Sequence, residues 1–221
     1  MNEIIFFIHI ILIIAFANGA LRLGKEALTA WVSLQAILAN LFVIKQIVLF
    51  GFNVTCSDVF AIGSIFGLNL LQEHHGRDAA KRTAKICFYF MLFFALMSQV
   101  HLLYTPSIHD VSHLSFINIL SPAPRLLLAS LAAFFIVQQI DVRLFHFLKI
   151  RFPKLPLFAR NGISLTLSQF LDTILFSFFG LFGLVANIWD IIFVSFVLKL
   201  LIVACTSFGS ALTSNRRIRS L

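Results

Sequence analysis

Asp172 and Lys199 each fall about ten residues into a long apolar stretch, at matching depth. A bare carboxylate or ammonium in hydrocarbon costs several kcal/mol unless it is paired or neutralised. A pair between them would satisfy both, as part of a solute site or as a purely structural ion pair. Ser164, Ser168 and Asp172 recur every four residues and share one helical face, with Gln169 beside them. Gln138 and Asp141 stand near the inner end of the preceding apolar stretch, with Ser130 on the side of Asp141. The segments 138–147 and 169–178 share five identical positions at a spacing of 31: Gln, Asp, Leu, Phe and Phe. The copies lie on consecutive spans and so run oppositely through a bilayer. That is the geometry of an inverted repeat that builds a binding site, although a Phe- and Leu-rich chain also produces such matches by chance.

Asp58, Asn69 and Glu73 interrupt another apolar stretch, 54–72, and its inner end. At 100° per residue Asp58 and Asn69 lie within ~20°, with Glu73 ~40° further on. One polar stripe results, and it must face protein or a water-filled cavity. Asp58 could instead be an outer-interface carboxylate, and Glu73 a solvated helix end beside His74 and His75. Asn40, Lys45 and Arg125 complete the polar set. Lys45 and Arg125 either reach a site or snorkel to headgroups. Other patterns carry no chemistry. Gly19–Lys25 has phosphate-loop spacing, but Glu26 stands where Ser or Thr is needed and no strand precedes it. His109, Asp110 and His113 make a weak metal pattern, so no metal or cofactor is expected.

The elements that must position these groups are membrane spans. The chain is 60% hydrophobic with 27 Phe and only 12% charged residues, more apolar surface than a soluble domain hides. Of 17 basic residues, 14 fall at 22–25, 77–85, 143–160 and 216–219. The connections near 51–55, 105–121 and 187–190 hold none. This alternation is the positive-inside pattern. It predicts seven spans, roughly 4–21, 27–50, 54–72, 84–104, 122–142, 162–185 and 190–211, with the N-terminus outside and the C-terminus cytoplasmic. Only Lys45, Arg125 and Lys199 are left within the spans. The net charge of +8 matches loops facing anionic lipid, so no direct nucleic-acid binding is expected. The five prolines sit in connections or first turns, which predicts mostly continuous helices in a single domain over 1–221. The three cysteines read as free buried thiols.

The motifs together resemble the queuosine precursor transporter family, of the vitamin-uptake-transporter type of bacterial inner-membrane proteins. The resemblance covers roughly 30–208. It is carried by Leu38-Ala-Asn40 with Lys45, Gly67-Leu-Asn69-Leu-Leu-Gln-Glu73-His-His-Gly76, Arg125 with Ser130, the paired Gln-x-x-Asp motifs ending at Asp141 and Asp172, Arg160-Asn161 and Lys199. It implies an all-α polytopic membrane bundle. A six-helix core similar to the binding subunits of vitamin importers would carry one extra N-terminal span, 4–21. The implied cargo is a 7-deazaguanine base. Two departures stand out: Asn69 where an Asp is usual, and Ser207 where a Pro usually follows Thr206.

The chemistry suits that cargo. A guanine-like edge offers two adjacent N–H donors and a carbonyl acceptor. One carboxylate can take both donors and a carboxamide can serve the rest. Asp172, Gln169 and Gln138 are expected on that edge, with Lys199, Lys45 or Arg125 balancing charge and Phe176, Trp31 or Tyr104 stacking on the ring. The expected protein is an importer of a small purine-like solute, not an enzyme, lodged in the inner membrane. The alternative is a binding subunit that needs a partner ATPase. Oligomeric state is open.

Overall fold

The computed structural model describes residues 1–55, 57–153 and 157–201. Two antiparallel helices come first, α1 (Asn2–Leu23) and α2 (Lys25–Phe42), joined at Gly24. A hairpin of β1 (Gln46–Leu49) and β2 (Phe52–Thr55) follows. Next come α3 (Asp58–His75) and α4 (Arg77–Leu102), then a short α5 (His113–Leu120), and then α6 (Ala123–Arg151) and α7 (Leu157–Phe176). A π-helical turn, Ser177–Leu181, ends α7. The last helix, α8, starts at 188 and is described through 201. The protein is thus an all-α membrane bundle with one small hairpin.

Four helical stretches are long and apolar enough to cross a bilayer among the described residues: Asn2–Leu23, Arg77–Leu102, His113–Val137 and Ile163–Leu181. The structure therefore supports four of the seven expected spans by length and composition. The polar residues of α2 and α3 keep the mean hydropathy of those two helices low, and in α3 most of them, Gln72 to His75, lie exposed at its end.

The clearest departure from the sequence reading is at 27–50. The helix stops at Phe42, and 46–55 pairs as an antiparallel hairpin, Gln46 with Thr55 through Leu49 with Phe52. Ile47, Val48, Val54 and Thr55 are β-branched, which suits a strand, and hydropathy alone cannot distinguish such a run from helix. Both turn residues have positive φ, Phe50 at 51° and Gly51 at 85°. That is the type I′ geometry whose twist matches a two-residue hairpin. Lys45 therefore lies beyond the end of α2 rather than within a helix. It sits exposed in the turn before β1. The N-terminus of α1 fastens the hairpin: Asn2 Nδ2 donates to the Val48 carbonyl (2.9 Å), and Glu3 Oε1 accepts from Phe50 N–H (3.2 Å).

Close packing of α2 on α3 comes from small residues. A Cβ on Gly67 would lie 2.5 Å from Val32 Cγ2, and one on Gly63 would lie 2.7 Å from Gln35 Oε1. Glycines four apart on one face let two helix backbones approach where lipid supplies no hydrophobic drive. Helix α8 packs into two apolar clusters. Its Val194 joins Phe6, Ile13, Leu49, Val54 and Val59, while its Ile191 joins Val43, Leu126 and Leu181.

Candidate functional site

Asn187 immediately precedes helix α8. Its Oδ1 accepts from the N–H groups of Trp189 (3.1 Å) and Asp190 (3.4 Å), so it caps the first turn. Asp190 in turn accepts from Asn53 N–H (2.9 Å) and Asn187 Nδ2 (2.8 Å), which locks β2 to the head of α8. From that fixed end, Ser195 and Lys199 lie about 10 and 17 Å along the axis at ~1.5 Å per residue, four apart on one face.

Two carboxylates meet that face. Lys199 Nζ donates to Asp172 Oδ2 at 2.8 Å and to Thr173 Oγ1 at 3.1 Å. Thr173 Oγ1 donates its own proton to the Gln169 carbonyl (2.8 Å), so its lone pairs are turned toward the ammonium. Asp58, the first residue of α3, accepts from Ser195 Oγ at 2.7 Å, and its other oxygen, Oδ2, is buried without a partner among the described residues. The expected Asp172–Lys199 pair thus exists, and Asp58 lies one helical turn above it. The Lys199 side chain is 18% exposed and that of Asp172 32%, so the pair is accessible on the Asp172 side rather than sealed. Among the described residues, Asp172 Oδ1 and a third ammonium proton make no hydrogen bond.

The partner copy of the motif lies level with this cluster. A Cβ on Gly180 would lie 3.3 Å from Ala129 Cβ, which sets the register of the antiparallel pair α6 and α7. Counting back from that contact brings 138–141 of α6 beside 169–172 of α7. The side chains of Gln138 and Asp141 lie outside the described residues.

The other expected residues are dispersed. Asn40 Nδ2 donates to the Ala36 carbonyl of its own helix (2.9 Å). Asn69 is half-buried and Glu73 is exposed, both on the far half of α3 from Asp58. Arg125 clasps the end of the π turn, with Nε donating to the Phe179 carbonyl (2.9 Å) and Nη2 to the Phe182 carbonyl (2.7 Å). Those carbonyls lose helical partners where α7 unwinds, and the guanidinium replaces them. Arg125→Gln is expected to lower the thermal midpoint by a few degrees and leave uptake per folded molecule unchanged. Loss of uptake at an unchanged midpoint would instead place Arg125 on the solute path. Sequence reasoning missed Ser195, although its spacing of four from Lys199 was a readable signal. It also missed the Asn53–Asp190 lock, which joins residues 137 apart in the chain.

A family model described as "Putative vitamin uptake transporter" matches residues 55–210. The chain belongs to this family. The vitamin uptake transporter match spans α3 through α8, and so includes Asp58, Asp172, Ser195 and Lys199. A curated relative from Bacillus subtilis (strain 168), "Probable queuosine precursor transporter", is 32% identical over 213 residues, covering 96% of this chain and 92% of its own. That alignment takes in nearly the whole transporter, hairpin and α1 included. No solved structure matches the chain.

Proposed function

We propose that this vitamin uptake transporter family member imports a queuosine precursor, a 7-deazaguanine base, across the bacterial inner membrane. The observation that carries the reading is the Lys199–Asp172 pair at 2.8 Å, held mid-helix by Thr173 and open on its carboxylate side. Asp172 takes the two adjacent N–H donors of the base, and Lys199, paired with that carboxylate, faces the carbonyl. Gln169, with Gln138 and Asp141 from α6, serves the remaining edge. Asp58 and Ser195 stand on the outer side of this site, and the stripe through Asn69 to Glu73 leads inward. Asn40 and Lys45 lie further out and act on passage rather than on the base, while Arg125 braces the π turn. Seven spans place the N-terminus and hairpin outside and the C-terminus in the cytoplasm.

The test is complementation. The chain is expressed in a bacterium that neither makes queuosine precursors nor imports them, with salvage enzymes for each base supplied. Queuosine in tRNA is then measured at low external base. Restored modification is expected, and the base that restores it is the cargo. Absence of modification with the protein in the membrane would reject a lone carrier of these bases. Rescue by an added energising ATPase would then make the chain a binding subunit.

A further inference from the structure

A polar cavity lies away from Asp172, between the starts of α2 and α4. It has a volume of about 330 Å³, room for roughly ten waters at ~30 Å³ each. Lys25 and Arg82 stand at its rim with Glu26. Its floor is hydroxyl-rich: Thr29 Oγ1 and Thr83 Oγ1 share one proton at 2.9 Å. The second hydroxyl proton of that pair is left to donate. Ile86 and Phe90 continue the wall along α4 toward the apolar middle of the helix.

Three features select the occupant. Neither Lys25 nor Arg82 forms an ion pair among the described residues, although Glu26 shares their rim. Two unneutralised cations above a free hydroxyl donor suit an anionic oxyacid such as a phosphate. The cavity lies in the basic, non-translocated end of two adjacent helices, and its lower wall is apolar. A phosphate that enters with acyl chains attached satisfies both parts, whereas a free phosphate leaves Ile86 and Phe90 without contacts. Basic pockets between membrane helices at the cytoplasmic side are suited to anionic headgroups.

We infer that this cavity binds the phosphate of an anionic phospholipid, with Lys25, Arg82 and the Thr29–Thr83 hydroxyls on the headgroup and Ile86 and Phe90 along an acyl chain. The assignment is independent of the solute carried. The test uses the full chain in nanodiscs of equal phosphatidylglycerol and phosphatidylcholine, with retained lipids counted by native mass spectrometry. Phosphatidylglycerol is expected to be retained about 10–30-fold over phosphatidylcholine, the preference two basic residues supply at a lipid surface. Lys25→Gln/Arg82→Gln should bring that ratio close to one. Lys81→Gln/Lys85→Gln, which removes as much charge from α4 outside the cavity, should leave it unchanged. Equal loss in both double variants would overturn the site in favour of diffuse charge. So would saturable inorganic phosphate binding that needs Arg82 but is accompanied by no lipid preference. Thermal midpoints of all variants check that each is folded, and Thr83→Val gives a charge-neutral second probe, expected to weaken retention severalfold.

Discussion

Asp172→Asn is expected to lower uptake by about 10–100-fold, because a charge-assisted hydrogen bond to the base is worth roughly 1.5–3 kcal/mol and ~1.4 kcal/mol is tenfold. The same change leaves the ammonium of Lys199, whose side chain is 18% exposed, without its counter-ion. Removing one member of a buried pair costs about 3–5 kcal/mol, and partial exposure of this pair puts it at the low end. A fall in thermal midpoint should therefore accompany the loss of uptake, and alone it would not separate a site from a structural pair. The double variant Asp172→Asn/Lys199→Met does. It removes both charges, so the midpoint should recover toward the parent. Uptake should remain lost, because the acceptor for the base is gone. Parental uptake by the double variant would make the pair structural and move the binding edge elsewhere. Both arms are read from queuosine in tRNA, normalised to protein in the membrane.

The second large effect is on stability. Gly67→Ala places a methyl 2.5 Å from Val32 Cγ2, and Val32 is fully buried on α2. A β-branched side chain with one favoured rotamer cannot swing aside, so the helices must part. Overpacking of this kind costs about 1–3 kcal/mol. For a chain of this size each kcal/mol moves the midpoint by about 2–4 °C. A loss of several degrees is expected by thermal unfolding in detergent. Gly19→Ala is the control, since a Cβ there meets nothing within 4 Å. Replacing glycine by alanine within an exposed helical segment should hold or raise the midpoint. Equal midpoints for both variants would show that α2 and α3 are not held at the distance described.

Much of this protein was legible from its residues because membrane constraints are local. The exclusion of backbone polar groups from hydrocarbon dictates helices, and the alternation of Lys and Arg clusters is the basis of the proposed orientation. Depth along a helix is a residue count, which is why Asp172 and Lys199 could be paired in advance. The repeat of Gln-x-x-Asp likewise follows from sequence, as does the polar face of α3 that begins at Asp58.

Tertiary structure decided what depends on partners distant in the chain. Residues 43–50 are strongly apolar, and the turn of positive φ at Phe50 and Gly51, fastened by Asn2 and Glu3, makes 46–55 a hairpin and leaves Lys45 beyond the end of α2. Arg125 looked like a stranded cation until the unwound carbonyls of Phe179 and Phe182 appeared beside it. Ser195 became part of the site only when α8 brought it to Asp58, 137 residues earlier. Composition and spacing determined that ionisable groups had to be satisfied inside the bundle. Which group satisfies which is a matter of three-dimensional neighbours, because a hydrogen bond is decided over about 3 Å and not by order along the chain.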